Sequence, residues 1–231
     1  VKSLGLDDLA PFKPEEKIIE FLIEQKLGSN KRLVNMNLTA FADETASESP
    51  APGGGSISAY VGALGASLGA MVANLSSHKR GWDDRWEEFS AWAVKGVEYQ
   101  KQLLHLVDED TAAFNKIMEA FSLPKNTDEE KQARSAAIES ASKYAMEIPL
   151  RTAQVAFKAF EVCAAMIEIG NPNSVTDAGV GALAIRTAVL GACYNVRINA
   201  GGITDKVFTE KLMNEAAELE KLTDSKDAEL R

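Results

Sequence analysis

The chain has 231 residues, of which 45% are hydrophobic and 26% charged, and its formal net charge is −9. These values describe a globular protein that is long enough for a substantial core. The negative charge argues against nucleic acid and anionic membrane surfaces as partners, because both bind to basic faces.

Helices are predicted for almost the whole chain, beginning with one that starts at Pro14 and ends near Lys26. A short linker at residues 28–30 separates it from a second helix, predicted over Leu38 to Ala46. The stretch 49–53 ends that second helix, because Pro and Gly interrupt helical hydrogen bonding.

The segment from Ile57 to Leu75 contains no charged residue and approaches the length of a membrane span. Its Gly, Ser and Asn residues keep the hydropathy modest, and no other segment is predicted to resemble a span. Small residues recur along it at helical spacing, so that neighbouring backbones can approach closely. We therefore predict a helix that is buried on all sides within a helical core.

Four further helices are predicted: Trp82 to about Phe121, Thr127 to about Ile169, Ser174 to Asn199, and a charged final helix from Asp205. Thr127 and Glu130 form a capping-box pattern, whereas Pro149 predicts a kink or a split within its helix. No strand or hairpin signal occurs in the sequence. The predicted fold class is therefore all-α, a bundle of long helices around one central, uncharged, small-residue helix.

A glycine-rich turn, Ala51-Pro52-Gly53-Gly54-Gly55-Ser56, precedes the uncharged helix. Three glycines leave backbone amides without side-chain cover, and the helix N-terminus adds a positive potential, so the turn is suited to binding an anion. The alternative is a hinge or N-cap in which Ser56 bonds back to the backbone.

A carboxylate, Asp110, completes the apolar stripe of the helix that follows, a stripe formed by Leu103, Val107, Phe114, Ile117 and Phe121. A charge in a core stripe is costly unless it is paired, hydrogen-bonded or functional. Asp110 is therefore either the partner of a Lys or Arg on another helix or a functional acid. Asp108, two residues earlier, lies on a different face.

Polar residues also flank a stripe of small residues in the helix from Ser174, with Asp177 at one end and Asn195 at the other. Asn199 follows Asn195 by one turn. Ser174-x-x-Asp177 is itself a capping-box variant, so Asp177 is either a helix cap or a site residue.

The remaining reactive residue types carry weaker signals. Cys163 and Cys193 stand among small and apolar residues, which predicts reduced, buried thiols and a cytoplasmic location. His78 and His105 lack further spaced ligands, so no metal site is predicted.

Several motifs in order resemble one family: APGGGS, LVDEDTAAF, LPKNTDEEK, IGNPNSVTDAG, GACYNVRIN and ITD. Together they are similar to the formimidoyltetrahydrofolate cyclodeaminase family, the C-terminal half of bifunctional formiminotransferase-cyclodeaminases, to which methenyltetrahydrofolate cyclohydrolases are related. The resemblance runs from about Leu33 to the C-terminus. It implies two regions, a connector with a short helix at 1–32 and a cyclodeaminase helical domain at 33–231. It also implies that the chain is either a fragment preceded by a formiminotransferase domain or a stand-alone relative that keeps the connector.

The resemblance further implies a dimer or larger homo-oligomer, with a site for a polyglutamylated folate at or near the subunit interface. The expected reaction converts 5-formiminotetrahydrofolate to 5,10-methenyltetrahydrofolate and ammonia, without a metal or other cofactor. Asp177 and Asp110 match the expected catalytic acids. The matching substrate-binding residues are Gly53, Gly54, Gly55, Ser56, Asp108, Lys125, Asn171, Asn195 and Asn199.

Two other functions remain open from the sequence. The first is a methenyltetrahydrofolate cyclohydrolase, which handles the same intermediate on similar residues. The second is a non-catalytic helical assembly module, in which Asp110, Asp177 and Asn195 would be satisfied internally. Lys79 and Arg80 are additional candidates to reach the glutamate tail of a folate.

Overall fold

The computed structural model describes residues 32–230, and within that range it contains α-helices, short 3-10 turns and no strand. The six α-helices are α1 Leu38–Thr45, α2 Gly54–Ser77, α3 Trp86–Ser122, α4 Asp128–Ile169, α5 Val175–Asn199 and α6 Lys206–Leu230. The all-α prediction is confirmed. The chain divides into two units between Asn37 and Leu38. The predicted helix from Pro14 and the linker after it lie outside the described residues.

Helix α2 forms the centre of the bundle and packs against α3, α4 and α5. Its glycines allow this close approach, since a Cβ on Gly65 would lie 2.7 Å from the carbonyl oxygen of Gly181 in α5. Gly54 lies beside Asn195, so α2 and α5 run antiparallel and the first turn of α2 meets the last turns of α5. The small-residue contact expected from the sequence is confirmed.

The burial predicted for α2 is wrong on one face. Leu64, Met71 and Leu75 are exposed along this face, because α3, α4 and α5 cover the other sides of the helix and leave this one open. The expectation that no second segment resembles a span is also wrong. By length and composition both Gly54–Ser77 and Pro172–Asn199 are long and apolar enough to cross a membrane, a property that core helices share. Within the fold, 61% of the most apolar stretch of Gly54–Ser77 is buried, and 44% of that of Pro172–Asn199.

Helix α4 begins with the predicted capping box, in which Glu130 N–H donates to Thr127 Oγ1 (3.2 Å) and Thr127 N–H donates to Glu130 Oε2 (3.2 Å). The helix then runs unbroken through Pro149, so the predicted split does not occur. Pro149 has no N–H for the carbonyl of Ala145. The side-chain amide of Asn199 in α5 donates to that carbonyl instead, at 2.7 Å.

The last helix is fastened to the bundle by charged contacts. Helix α5 ends at Asn199, and Gly202 then turns the chain in the left-handed region with φ +86°. Asp205 caps α6 by accepting from Phe208 N–H at 3.0 Å. Lys143 of α4 pairs with Asp205 at 2.7 Å. Arg197 of α5 forms a two-pronged contact with Glu220 of α6.

Both cysteines are buried free thiols, as predicted. Burial raises the pKa of Cys163 to about 12, and burial together with the Glu220 charge does the same for Cys193. Neither thiol is therefore a reactive thiolate near neutral pH.

Candidate functional site

A cavity of ≈ 170 Å³ opens at the first turn of α2, where α3, α4 and α5 meet it. Asp110 is the one ionisable side chain among its lining residues. Those residues are Pro50, Ala51, Gly53, Gly54, Gly55, Asp110, Thr111, Ala113, Phe114, Ile117, Ala145, Asn195 and Asn199. The cavity thus brings together one candidate acid, the three glycines and both candidate amides.

Asp110 is held by the start of α2. Its Oδ2 accepts from the backbone N–H of Ser56 at 2.8 Å and lies 2.9 Å from Ser56 Oγ. No Lys or Arg in residues 32–230 pairs with Asp110, so the ion-pair alternative is wrong. No described residue donates to Oδ1, and this oxygen remains available to a ligand.

Burial is the largest influence on the Asp110 carboxyl and raises its pKa above the usual 3.8. The hydrogen bonds from Ser56 lower the pKa, because they favour the charged form, but they do not offset burial. A carboxyl group with a raised pKa exchanges protons more readily near neutral pH, which suits a general acid and base.

The glycine-rich turn is needed for the approach of Asp110. A Cβ on Gly55 would lie 2.1 Å from Asp110 Oδ1, so a side chain at this position cannot coexist with the carboxylate. Gly53 is the N-cap of α2, and Ser56 bonds to α3 instead of back to its own turn, so the N-cap alternative for Ser56 is wrong. One amide expected to meet an anionic ligand instead holds the chain's own carboxylate.

Two side-chain amides from α5 line another part of the cavity. Asn195 Nδ2 donates to the carbonyl of Gly191 at 2.9 Å, and Asn199 Nδ2 donates to that of Ala145 at 2.7 Å. Both nitrogens are therefore engaged with the backbone, and no described residue donates to either amide oxygen. The cavity consequently presents hydrogen-bond acceptors beside a carboxylate, an arrangement that favours a ligand rich in N–H groups or positive charge.

Asp177 is not brought to this cavity within one chain. It lies in the first turn of α5, so that the helix rise separates it from Asn195 by roughly 27 Å along the axis. The capping-box interpretation is wrong, since Ser174 makes no side-chain cap bond and its N–H donates to the carbonyl of Asn171 at 2.9 Å. Asp177 is therefore a partly buried acid in the first turn of α5, where a negative charge suits the helix N-terminus, but it forms no capping box.

Other predicted residues also lie apart from the cavity. Asn171 Oδ1 accepts from Asn173 N–H at 3.2 Å, and its own N–H donates to Ser76 Oγ at the far end of α2. Asp108 is on α3 but does not line the cavity. Lys125 lines a separate cavity of ≈ 320 Å³ that also includes Lys131 and Arg134.

The additional cations proposed for a folate tail lie at the opposite end of α2 from the glycine turn. Lys79 Nζ is 3.9 Å from the ring centroid of Trp82, a cation–π contact that accounts for its position. Arg80 follows it in the same turn. Neither residue lines the Asp110 cavity.

Several lining residues were not assigned to the site from the sequence, among them Phe114 and Thr111. Phe114 was interpreted as part of the apolar stripe, yet the residue is 37% exposed and borders the cavity. Thr111 follows Asp110 directly, with its Oγ1 3.5 Å from Ser56 Oγ. Phe114 stands one helical turn after Asp110, and this i, i+4 spacing was the available signal.

Comparison with protein families gives a match to Formiminotransferase-cyclodeaminase over residues 37–218. The formimidoyltransferase-cyclodeaminase of Rattus norvegicus is 37% identical over 219 residues, which are 95% of this chain and 40% of the rat protein. The chain therefore spans less than half of such relatives. The methenyltetrahydrofolate cyclohydrolase of Methylorubrum extorquens is 36% identical over 181 residues, covering 78% of this chain and 87% of that protein.

A solved structure has the same architecture. The crystal structure of formiminotetrahydrofolate cyclodeaminase from Thermotoga maritima superposes with a TM-score of 0.74 at 27% sequence identity. The superposition covers 85% of this chain and 94% of the Thermotoga protein.

Proposed function

Because the chain belongs to the formiminotransferase-cyclodeaminase family, we propose that it converts 5-formiminotetrahydrofolate to 5,10-methenyltetrahydrofolate with release of ammonia. The observation that carries the proposal is the Asp110 carboxylate, anchored at one oxygen and open at the other, in a cavity bordered by two amides. The chain spans 40% of the rat protein, and a formiminotransferase domain N-terminal to this segment is proposed only by analogy.

The reaction needs a group that takes one proton and returns it. N10 of the folate attacks the carbon of the protonated formimino group (N5–CH=NH2⁺), and the C–N bond that forms gives a tetrahedral diamine whose amino group carries two hydrogens. Asp110 Oδ1 accepts the N10 proton and then donates it to the departing nitrogen, which leaves as ammonia when its bond to carbon breaks. A carboxyl with a raised pKa can serve in both steps, because it is basic enough to accept the proton and acidic enough to return it.

The product carries a delocalised positive charge over N5, carbon and N10. The ionised Asp110 stabilises this charge once the proton has left Oδ1. The amide oxygens of Asn195 and Asn199 accept from N–H groups of the pterin and fix its orientation, since their nitrogens are bound to the backbone. No metal or other cofactor enters this scheme.

The cavity is too small for the whole substrate. At ≈ 170 Å³ it lies below the roughly 300–1,000 Å³ of usual ligand sites, so further walls must enclose the remainder of the folate. We assign one of these walls to a second copy of the chain. Exposed apolar side chains run along both α2 and α5, namely Leu64, Met71, Leu75, Val180, Leu183, Tyr194 and Ile198.

A two-fold pairing through this face accounts for the position of Asp177. When two antiparallel α5 helices cross near Thr187, the first turn of one lies level with the last turns of the other. Asp177 of a second copy then stands beside the Asn195 and Asn199 end. In this arrangement it supplies the second carboxylate, and each copy contributes to both sites.

The anionic glutamate tail is assigned to the basic cavity next along the bundle. Lys125, Lys131 and Arg134 line it together with Gly202, which follows Asn199 by three residues. Glu139 also lines this ≈ 320 Å³ cavity, but its oxygens accept from the N–H groups of Thr204 and Asp205. Lys131 is paired with Asp128, so on a chain with a net charge of −9 Lys125 and Arg134 are the cations that we assign to the carboxylates of the tail. Lys125 thereby keeps its predicted binding role, toward the tail and not the pterin.

The second candidate function is the cyclohydrolase. It is favoured by the match to the Methylorubrum protein, because the chain covers 87% of that protein's length. The same carboxylate would there activate water against the methenyl carbon. A non-catalytic module is disfavoured by Asp110, because its carboxylate lines a cavity beside two amides and has no cation among the described residues to satisfy it internally. A cytoplasmic location stays a proposal that the two buried thiols support.

The purified chain is offered 5-formiminotetrahydrofolate while methenyl absorbance and ammonia are recorded together. A parallel rise of both supports the deaminase. Loss of absorbance from added methenyltetrahydrofolate, without ammonia production in the first assay, identifies the cyclohydrolase. Inactivity in both assays, with no folate binding, contradicts both enzymes.

A further inference from the structure

The hydroxyl of Ser56 lies between two acceptors, although it carries a single hydrogen. Ser56 Oγ is 2.9 Å from Asp110 Oδ2 and 3.0 Å from the carbonyl oxygen of Val107. Both acceptors are on α3, and Ser56 is fully buried, so its hydroxyl turns between protein groups, with Thr111 Oγ1 at 3.5 Å as the more distant third oxygen. Ser56 thus donates to one of them at a time.

The backbone N–H of Ser56 makes the third contact, to Asp110 Oδ2 at 2.8 Å. It holds the position of the carboxyl group regardless of the direction in which the hydroxyl points. Oδ1 has no described donor and borders the cavity, so a proton added to Asp110 goes to Oδ1. Protonation there makes Oδ2 a carbonyl-type oxygen, a weaker acceptor than a carboxylate oxygen.

We infer that Ser56 is a positioning residue whose hydroxyl switches with the protonation of Asp110, donating to Oδ2 when the carboxyl is ionised and to the Val107 carbonyl when it is neutral. The inference rests on the proposed function at one point, namely that Asp110 exchanges a proton during the reaction. The switch leaves no buried donor unpaired in either state, which lets one carboxyl group serve as base and then as acid.

Charges from neighbouring elements do not explain the behaviour of Asp110. Helix α2 carries no charged side chain, and α4 and α5 face the cavity through the uncharged Ala145, Asn195 and Asn199. On α3 the adjacent Glu109 is engaged with Tyr144 of α4 and lies 3.8 Å from His105. Among the described residues, the Ser56 hydroxyl is therefore the side-chain group that most directly sets the balance between the two states of Asp110.

The test is a direct titration of Asp110 by carboxyl ¹³C NMR in protein labelled at aspartate, with the signal assigned from Asp110→Asn. In Ser56→Ala the ionised form loses one charge-assisted hydrogen bond, so the pKa of Asp110 is expected to rise by about one unit or more. The matched control is Ser58→Ala. Ser58 is a buried serine of the same helix whose hydroxyl donates to the Gly54 carbonyl and does not touch Asp110.

Ser56→Thr keeps the hydroxyl and is expected to return the titration toward that of the unaltered chain. If the added methyl group of Ser56→Thr prevents folding, the comparison of Ser56→Ala with Ser58→Ala still tests the inference. An unchanged pKa in Ser56→Ala, or an equal rise in Ser58→Ala, would overturn the inference. The titration uses no folate, so its outcome is independent of whether the chain proves to be a cyclodeaminase.

Discussion

The side-chain amide of Asn199 donates to the carbonyl of Ala145 across 2.7 Å, at the one turn of α4 where Pro149 supplies no N–H. A residue expected to bind folate thus also completes the backbone of a neighbouring helix. This contact fixes the Asn199 amide, and it directs the nitrogen to α4 and leaves the oxygen for a ligand. The site and the helix packing therefore share one hydrogen bond.

The dual role of Asn199 predicts a coupling to Pro149. Asn199→Ala leaves the Ala145 carbonyl without its donor, at an expected cost of about 1–3 kcal/mol in the free energy of unfolding. In a Pro149→Ala background α4 supplies its own N–H, so the cost of the same substitution is expected to be smaller. Urea unfolding of both single variants and the double variant measures the coupling. Equal costs in the two backgrounds would contradict this role.

Asp110→Asn is expected to reduce turnover by about 10²–10⁴-fold, because it removes the proton-exchanging group and keeps the shape of the side chain. The circular dichroism spectrum is expected to stay close to that of the unaltered chain. Glu119→Gln is the matched control, since Glu119 is an exposed acid on the same helix. Near-normal turnover in Asp110→Asn would remove Asp110 from the mechanism.

The raised pKa of Asp110 predicts how stability varies with pH. The folded chain binds its proton more tightly than the unfolded chain, so the contribution of Asp110 to stability is fully present below about pH 3.8 and is lost as pH rises through the folded pKa. Asp110→Asn removes this loss. The variant is therefore expected to gain stability relative to the unaltered chain as pH increases from 4 to neutrality, as measured by urea unfolding at several pH values. A difference that is constant with pH would show that the pKa is not raised.

Gly55→Ala is expected to displace Asp110, since the new Cβ would lie 2.1 Å from Oδ1. The clash is with a side chain on a different helix, so we expect a loss of about 1–3 kcal/mol in stability, together with loss of activity. Gly179→Ala is the control, because nothing lies within 4 Å of the Cβ there. As a helical position it is expected to gain up to about 1 kcal/mol. Retained activity in Gly55→Ala would show that the carboxylate tolerates displacement.

Sharing of sites between two copies predicts complementation. Asp110→Asn and Asp177→Asn are each expected to be inactive, whereas reassociated mixtures recover about a quarter of the original activity, because half of the dimers are mixed and each has one intact site. Each variant taken alone through dissociation and reassociation is the control. Mixed dimers that are confirmed by mass and remain inactive would refute the shared site.

The proposed dimer face can be tested separately. Leu183→Glu, in this exposed apolar face, is expected to yield monomers.

Much of the fold followed from local signals. The capping box at Thr127 and Glu130, the break at Gly202 and the start of α6 at Asp205 are interactions among residues close in the chain, so the sequence contains both partners. The glycines of α2 likewise predicted a close helix contact, because the absence of a side chain lets the backbone of a neighbouring helix approach. Pro149 was misjudged since its missing hydrogen bond is replaced by Asn199, 50 residues later.

The sequence by itself determined the helical class, the approximate helix boundaries and the set of candidate polar residues, because periodicity, caps and small-residue spacing are properties of a single segment. Only the tertiary structure decided which candidates meet. It brought Asp110, the three glycines, Asn195 and Asn199 to one cavity and placed Asp177, Asn171 and Lys125 outside this cavity. It also directed the Ser56 amide to Asp110 in place of an external anion. The physical reason is that burial and hydrogen-bond partners depend on how the helices pack. In addition, a long helix separates polar residues at its two ends by tens of ångströms, even where both belong to the same stripe.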